Sequence, residues 1–157
     1  MILWFVDARF ERALENLGDD MAEELPIQIG WDNAQQTVVR LTLRDNWSWE
    51  ELYTSNQEII KLMNSTPQTV HLLIDYTQTN AVPVGGVIMH ARNILTAYPP
   101  NCDLLIMVTR NMLVQRLTTI FQATFQNGIG KRVYSVTSDD AAYRLIEKRT
   151  RPQTESN

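Results

Sequence analysis

Cysteine is nearly absent. Cys102 is the one thiol in 157 residues, so no internal disulfide can form, and a leftover thiol suits a reducing, cytoplasmic compartment. Histidine is scarce too: His71 and His90 have no acid at motif spacing, and with a single cysteine they supply no recognisable metal-ligand set. No Walker lysine follows Gly85-Gly86 and no G-x-G-x-x-G pattern occurs, so no nucleotide loop is assigned. The apolar start Ile2-Leu3-Trp4-Phe5-Val6 stops at Asp7, and no stretch approaches the roughly 20 apolar residues of a membrane span. Positive charge is not in excess either. Lys and Arg number 14 against 18 Asp and Glu, a net charge of -4, which argues against a nucleic-acid partner held by a broad basic surface. These absences leave no catalytic, cofactor-binding or metal residue to assign, and a noncatalytic protein is the expectation.

What is present is an ordinary globular composition, 44% hydrophobic and 20% charged, at a length that suits one domain. Residues 1–25 place Phe10, Ala13, Leu14, Leu17 and Met21 at helical spacing among Glu11, Glu15, Asp19 and Asp20. That pattern predicts an extra N-terminal amphipathic helix, serving either as a docking or dimerisation arm or as a cover for its own core. From Pro26 the period becomes two: Ile27 and Ile29, then Val39, Leu41 and Leu43, predict a β-hairpin across the polar turn Asp32–Gln36. Ser48 and Glu51 have capping-box spacing before a helix that Pro67 follows. Val70–Asp75 and Cys102–Thr109 read as central strands buried on both faces, with a helix from Val84 to Tyr98 between them. A helix over 111–126, a short strand at Val133–Val136 and a last helix opened by Ser138 complete the order. The chain is therefore expected to be α/β, with a mixed, mostly parallel sheet that opens with a β-hairpin and carries helices packed on it, over residues 26–148. Residues 149–157 are expected to form a flexible tail.

Ligands of open α/β sheets gather at the carboxyl ends of parallel strands, which singles out a polar rim of Asp75, Thr77, Thr79, Asn80, Arg110 and Asn111. Asp75 with Arg110 would make a charged site. The alternative is that Asp75 ties down its turn and Thr109 or Asn111 caps a helix. Cys102, at the start of a core strand, reads as a small buried hydrophobe. Trp47, outside the apolar face of its helix, either marks a contact site or packs on a neighbouring loop. Gly85-Gly86 is read as a close approach of helix to strand, and Gly128-x-Gly130 as a helix end and turn.

The hairpin, the helix of residues 49 to 64, the strand-Asp-loop-Gly-helix stretch from Leu72 to Leu95, and Arg132-Val133-Tyr134-Ser135-Val136 followed by Asp139-Asp140-Ala141-Ala142 together resemble the STAS fold. That fold is shared by anti-sigma-factor antagonists and the cytoplasmic domains of sulfate transporters, with divergent relatives grouped with lipid-binding Sec14-type proteins. The resemblance covers about 120 residues and implies a regulatory protein-interaction module. In the antagonists an Asp-Ser-Ser-Gly-like sequence carries the phosphorylated serine; here the stretch is Pro83-Val84-Gly85-Gly86, and Gly85 stands where that serine would be. The resemblance thus implies an interaction face of Gly85, Gly86, Met89, His90, Arg92 and Asn93, the helix residues facing outward, without phosphoserine control. The partner would be another protein or a second copy in a homodimer. The Sec14-type kinship implies an alternative, a small-ligand (lipid or nucleotide) carrier or sensor with an apolar cavity near Met107, Met112 and Phe121.

Overall fold

The computed structural model describes residues 25–151. The N-terminal helix expected for residues 1–25 lies, but for Leu25, outside the described residues. Five strands form one sheet in the order β1-β2-β3-β4-β5. They are β1 (Ile27–Trp31), β2 (Val38–Arg44), β3 (Val70–Gln78), β4 (Cys102–Val108) and β5 (Val133–Val136). β1 and β2 are the antiparallel hairpin, and β2 to β5 run parallel. Among the described residues four helices connect or follow them: α1 (Trp49–Asn64), α2 (Val87–Leu95), α3 (Met112–Thr124) and α4 (Asp139–Thr150), with a 3-10 turn at Ile129–Arg132. No helix among the described residues is long and apolar enough to cross a membrane.

Strand alternation divides the sheet residues between two layers. On one face Val39, Leu41, Leu72, Ile74 and Leu105 meet Leu52, Ile59 and Met63 of α1, Ile94 and Leu95 of α2, and Val114 and Phe121 of α3. On the other, Val38, Leu73, Leu104, Ile106 and Val108 meet Ala142 and Ile146 of α4, with Tyr143 and Leu145 of that helix and Tyr134 and Val136 of β5 packed against them. Helix starts follow the capping chemistry: Ser48 Oγ accepts from Glu51 N, Asn111 Oδ1 from Leu113 N, and Ser138 Oγ from Ala141 N. Trp47 is buried and donates its indole N–H to the Ala81 carbonyl, which settles its role as a loop contact.

Several boundaries differ from the sequence expectation. β3 runs on to Gln78, so Asp75 and Thr77 sit inside a strand, because Gln78 still pairs with Arg44 across a bulge. α2 begins at Val87 rather than Val84: Gly85 (φ 92) and Gly86 (φ 61) take the left-handed region, where the chain turns before the helix. Their use is this turn, not the close helix-strand approach read from the sequence, since a Cβ on Gly85 would meet nothing within 4 Å. Gly130 is the position of close approach, where a Cβ would stand 2.6 Å from the Gln122 carbonyl oxygen. α4 extends past Lys148 to Thr150 because Arg149 pairs with Asp103, Nε to Oδ2 at 3.0 Å, so the folded body includes the first residues assigned to the tail.

His71 fills a second irregularity. Between the pairings Val70 with Cys102 and Leu72 with Leu105, β4 carries one residue more than β3. The buried imidazole uses Nδ1 to accept from Leu104 N at 3.1 Å, satisfying an amide near this bulge. Burial pushes the His71 pKa below its ordinary 6.5. The unfolded chain therefore binds this proton before the folded one does, and stability falls as pH drops below about 6.5, at up to about 1.4 kcal/mol per pH unit. Urea unfolding at pH 7 and pH 5.5 checks this. His71→Asn should flatten that part of the pH dependence, and an unchanged slope in the variant would show that His71 is not its source.

Candidate functional site

The carboxyl ends of β3, β4 and β5 and the starts of α3 and α4 enclose a cleft of about 630 Å³, within the range of small-molecule sites. All six residues of the polar rim read from the sequence line it: Asp75, Thr77, Thr79, Asn80, Arg110 and Asn111. The remaining polar lining comes from Thr137, Ser138, Asp139 and Asp140, after β5. The carboxyl-end rule that selected the first six applies equally to β5, so the Ser138-Asp139-Asp140 cap was open to the same reading.

Most of these groups are already engaged. Asp75 Oδ1 accepts from Thr77 N at 2.9 Å and from Thr77 Oγ1 at 2.6 Å, tying down the β3 bulge. Its Oδ2 accepts from Arg40 Nη1 at 3.0 Å. Thr79 is buried and accepts from Ala81 N, while Asn111 caps α3. The Asp75–Arg110 pair suggested by the sequence is replaced by Asp75–Arg40, because the alternation of β2 aims Arg40 onto the same sheet face as Asp75. No histidine, cysteine or lysine lines the cleft. Among the described residues no group of three His, Cys, Asp or Glu side chains could hold a metal.

Arg40 does not line the cleft but ties two of its residues, Asp75 and Asp139, to the hairpin. Its guanidinium reaches Asp32 (Nε to Oδ1, 2.6 Å), Asp75 and, from the α4 start, Asp139 (Nη2 to Oδ2, 3.0 Å). Tyr143 donates its hydroxyl to Asp32 Oδ2. Burial alone would raise the Asp32 pKa, but the bonds from Arg40 and Tyr143 outweigh it and hold the carboxyl below 3.8. Burial and the Asp32 contact both push the Tyr143 phenol upward. Local sequence patterns do not carry this network, since its members are separated by as many as 111 positions.

A second, apolar cavity of about 110 Å³ lies between the sheet and α1, α2 and α3. Met107 and Phe121 line it as expected, with Leu41, Ile88 and Val114. Met112 does not, being 66% exposed on the outer side of α3. Tyr98 also lines the cavity, and its buried hydroxyl has no hydrogen-bond partner among the described residues. Burial raises the Tyr98 phenol far above its ordinary value. The Cys102 thiol is pushed up to about 12 by burial, which keeps it protonated and unreactive near neutral pH.

On α2, Met89, Arg92 and Asn93 are exposed, as are Gly85 and Gly86 before it. His90 is not part of that outer set. Its ring stacks on Trp49, centroids 4.9 Å apart and 19° from parallel, and Nδ1 shares a 2.9 Å hydrogen bond with the Tyr53 hydroxyl. The apolar periodicity of α2 marked only the sheet-facing stripe, and the flank against α1 has no such signature.

Arg40→Met should cost about 2 kcal/mol, a figure below that for a fully buried pair because the Arg40 side chain is 21% and that of Asp139 55% exposed. Asp32 stabilises the fold only while ionised, so the gap between wild type and variant should be full at neutral pH and close as pH falls below about 4. Chemical denaturation from pH 3 to 7 reads this directly, and a pH-independent gap would contradict it. These sites stand on their own residues: no protein-family model matches the chain, and no curated protein matches it.

Proposed function

We propose that the protein is a noncatalytic, regulatory interaction module of STAS-like organisation, acting in the cytoplasm through the outer side of α2 and α3. One observation carries this reading. Six large hydrophobic side chains are exposed among the described residues, and five of them lie on these helices or the loop before α2: Val84, Met89, Met112, Leu113 and Ile120. Scattered exposed hydrophobics need no explanation, but a concentration on one surface fits a contact site. Arg92 extends over the Phe125 ring just past α3, its Cζ 5.9 Å from the centroid, so the outer faces of the two helices adjoin. Gly85 has no hydroxyl to phosphorylate, so regulation here is by occupancy of the face by a protein partner or a second copy.

Met89→Glu combined with Arg92→Glu should weaken association at least tenfold, about 1.4 kcal/mol. Stability should move by no more than about 0.5 kcal/mol, because both side chains are exposed. Sedimentation velocity across a concentration series, with a thermal melt of each variant, reads both quantities. Unaltered association would remove this face from consideration.

The cavity favours a second reading, a carrier or sensor of a small apolar ligand. Its walls suit an acyl chain rather than a nucleotide, and the unpartnered Tyr98 hydroxyl would donate to one ligand oxygen. Tyr98→Phe should leave the free protein equally stable or up to about 1 kcal/mol more stable, since it removes a buried hydroxyl without a partner. Short-chain alcohols should raise the melting temperature of the wild type more than that of the variant. No shift from butanol through octanol would dispose of this reading.

A further inference from the structure

The apolar cavity beneath α2 keeps one polar group uncommitted. Among the described residues five polar side chains line it: Trp47, Trp49, Tyr76, Tyr98 and Thr118. Four of them donate to backbone carbonyls, Trp47 and Tyr76 to Ala81, Trp49 to Pro83 and Thr118 to Val114. Those bonds hold the loop before α2 and a turn of α3, so they serve the fold itself. The Tyr98 hydroxyl is buried and has no partner among the described residues. Buried hydroxyls are paired as a rule, because one left alone has given up water and gained no bond in return. A free donor beside unfilled apolar space is completed by an oxygen brought in from outside.

Size and charge narrow what can bring that oxygen. The cavity holds about 110 Å³. An apolar cavity of about 150 Å³ admits benzene, so there is room here for a ring or short chain of about six non-hydrogen atoms. Among the described residues no Lys, Arg, His, Asp or Glu lines the space. A carboxylate or ammonium group entering it would lose its hydration without meeting an opposite charge. Burial raises the Tyr98 phenol far enough that it keeps its proton, so it offers an O–H to an acceptor at any working pH. We propose that the cavity binds a small neutral molecule of about six non-hydrogen atoms, a ketone, aldehyde or alcohol, whose oxygen accepts a hydrogen bond from Tyr98. This rests on the carrier or sensor reading and names the ligand class: neutral carbonyl compounds and alcohols are admitted, and free carboxylic acids in their ionised form are refused.

The test uses the full chain with isotope-labelled methionine methyl groups, because Met107 lines the cavity while Met89 and Met112 stand exposed on α2 and α3. Three probes of similar size separate the requirements: cyclopentanone, methylcyclopentane, in which a methyl group replaces the oxygen, and butanoate at neutral pH. Cyclopentanone should shift the Met107 methyl resonance in a saturable way and spare Met89 and Met112. Tyr98→Phe, with a circular dichroism melt to show that it is folded, should weaken the ketone at least tenfold and change the hydrocarbon by no more than about twofold. A variant that had merely lost packing would weaken both. Butanoate should leave Met107 unmoved. A ketone indifferent to Tyr98→Phe, or butanoate that saturates Met107, would overturn the inference and leave the cavity as a ligand site of other chemistry. If no probe moves Met107, or if only Met89 and Met112 respond, the inference and the carrier reading beneath it both fail.

Discussion

Strand order is the constraint from which the rest of the molecule follows. Four parallel strands laid side by side in sequence order need three crossovers, and because crossovers are right-handed, all three helices must fall on the same face of the sheet. α1, α2 and α3 accordingly share one apolar layer, and among the described helices α4 alone is left for the other face. One helix cannot cover five strands. The side of β1 and β2 that no described element covers carries polar groups, and it is there that Arg40 gathers Asp32 from the hairpin, Asp75 from β3 and Asp139 from the α4 start. The ion cluster does for the hairpin half of that face what apolar packing does for the other half, while remaining partly open to water.

Much of the fold was legible because each element has its own local signature. The period-two hairpin, the Ser48 and Ser138 caps, the Asn111 cap and the unbroken apolar runs of β3 and β4 need no partner to be recognised. What escaped depends on contacts between elements. The continuation of β3 to Gln78 is decided by Arg44 across the sheet, and the end of α4 by Asp103. His90 turns inward because α1 lies beside α2, an arrangement that follows from the shared layer and leaves no trace in the spacing of α2 residues. The polar rim was legible as a place, since the carboxyl ends of strands are fixed by topology. The partner of Asp75 was not, because Arg40 lies 35 positions away and its alternation gives a face but no neighbour.

The crowded layer also explains why the two functional readings sit so close together. Three helices rest on one face of the sheet, and α2 spans only Val87–Leu95. A helix this short, started by two glycines in the left-handed region rather than by a capping side chain, contributes few buried side chains: Ile94 and Leu95. Its first turn leaves Met89 outside, as the preceding loop does Val84, with unfilled apolar space beneath, where Ile88 and Ala91 line the cavity. The void inside and the α2 part of the surface patch both go with this under-packed helix, while Met112, Leu113 and Ile120 of α3 supply the rest of the patch. Trp47 and Trp49 compensate in part, donating their indole N–H groups to the Ala81 and Pro83 carbonyls and holding the loop that precedes α2.

Such a helix is also poorly placed to be a rigid catalytic support. Catalytic groups need side chains locked by packing and hydrogen bonds, whereas the α2 residues that face outward are Met89, Arg92 and Asn93. Methionine and arginine are adaptable contact residues: one is unbranched and polarizable, the other reaches far and pairs with carboxylates in a fixed geometry. A surface of this kind gains its order from what covers it. In the proposed interaction module, a bound partner would supply the free energy that α2 does not obtain from its own core and would couple occupancy of the face to the packing of the layer beneath.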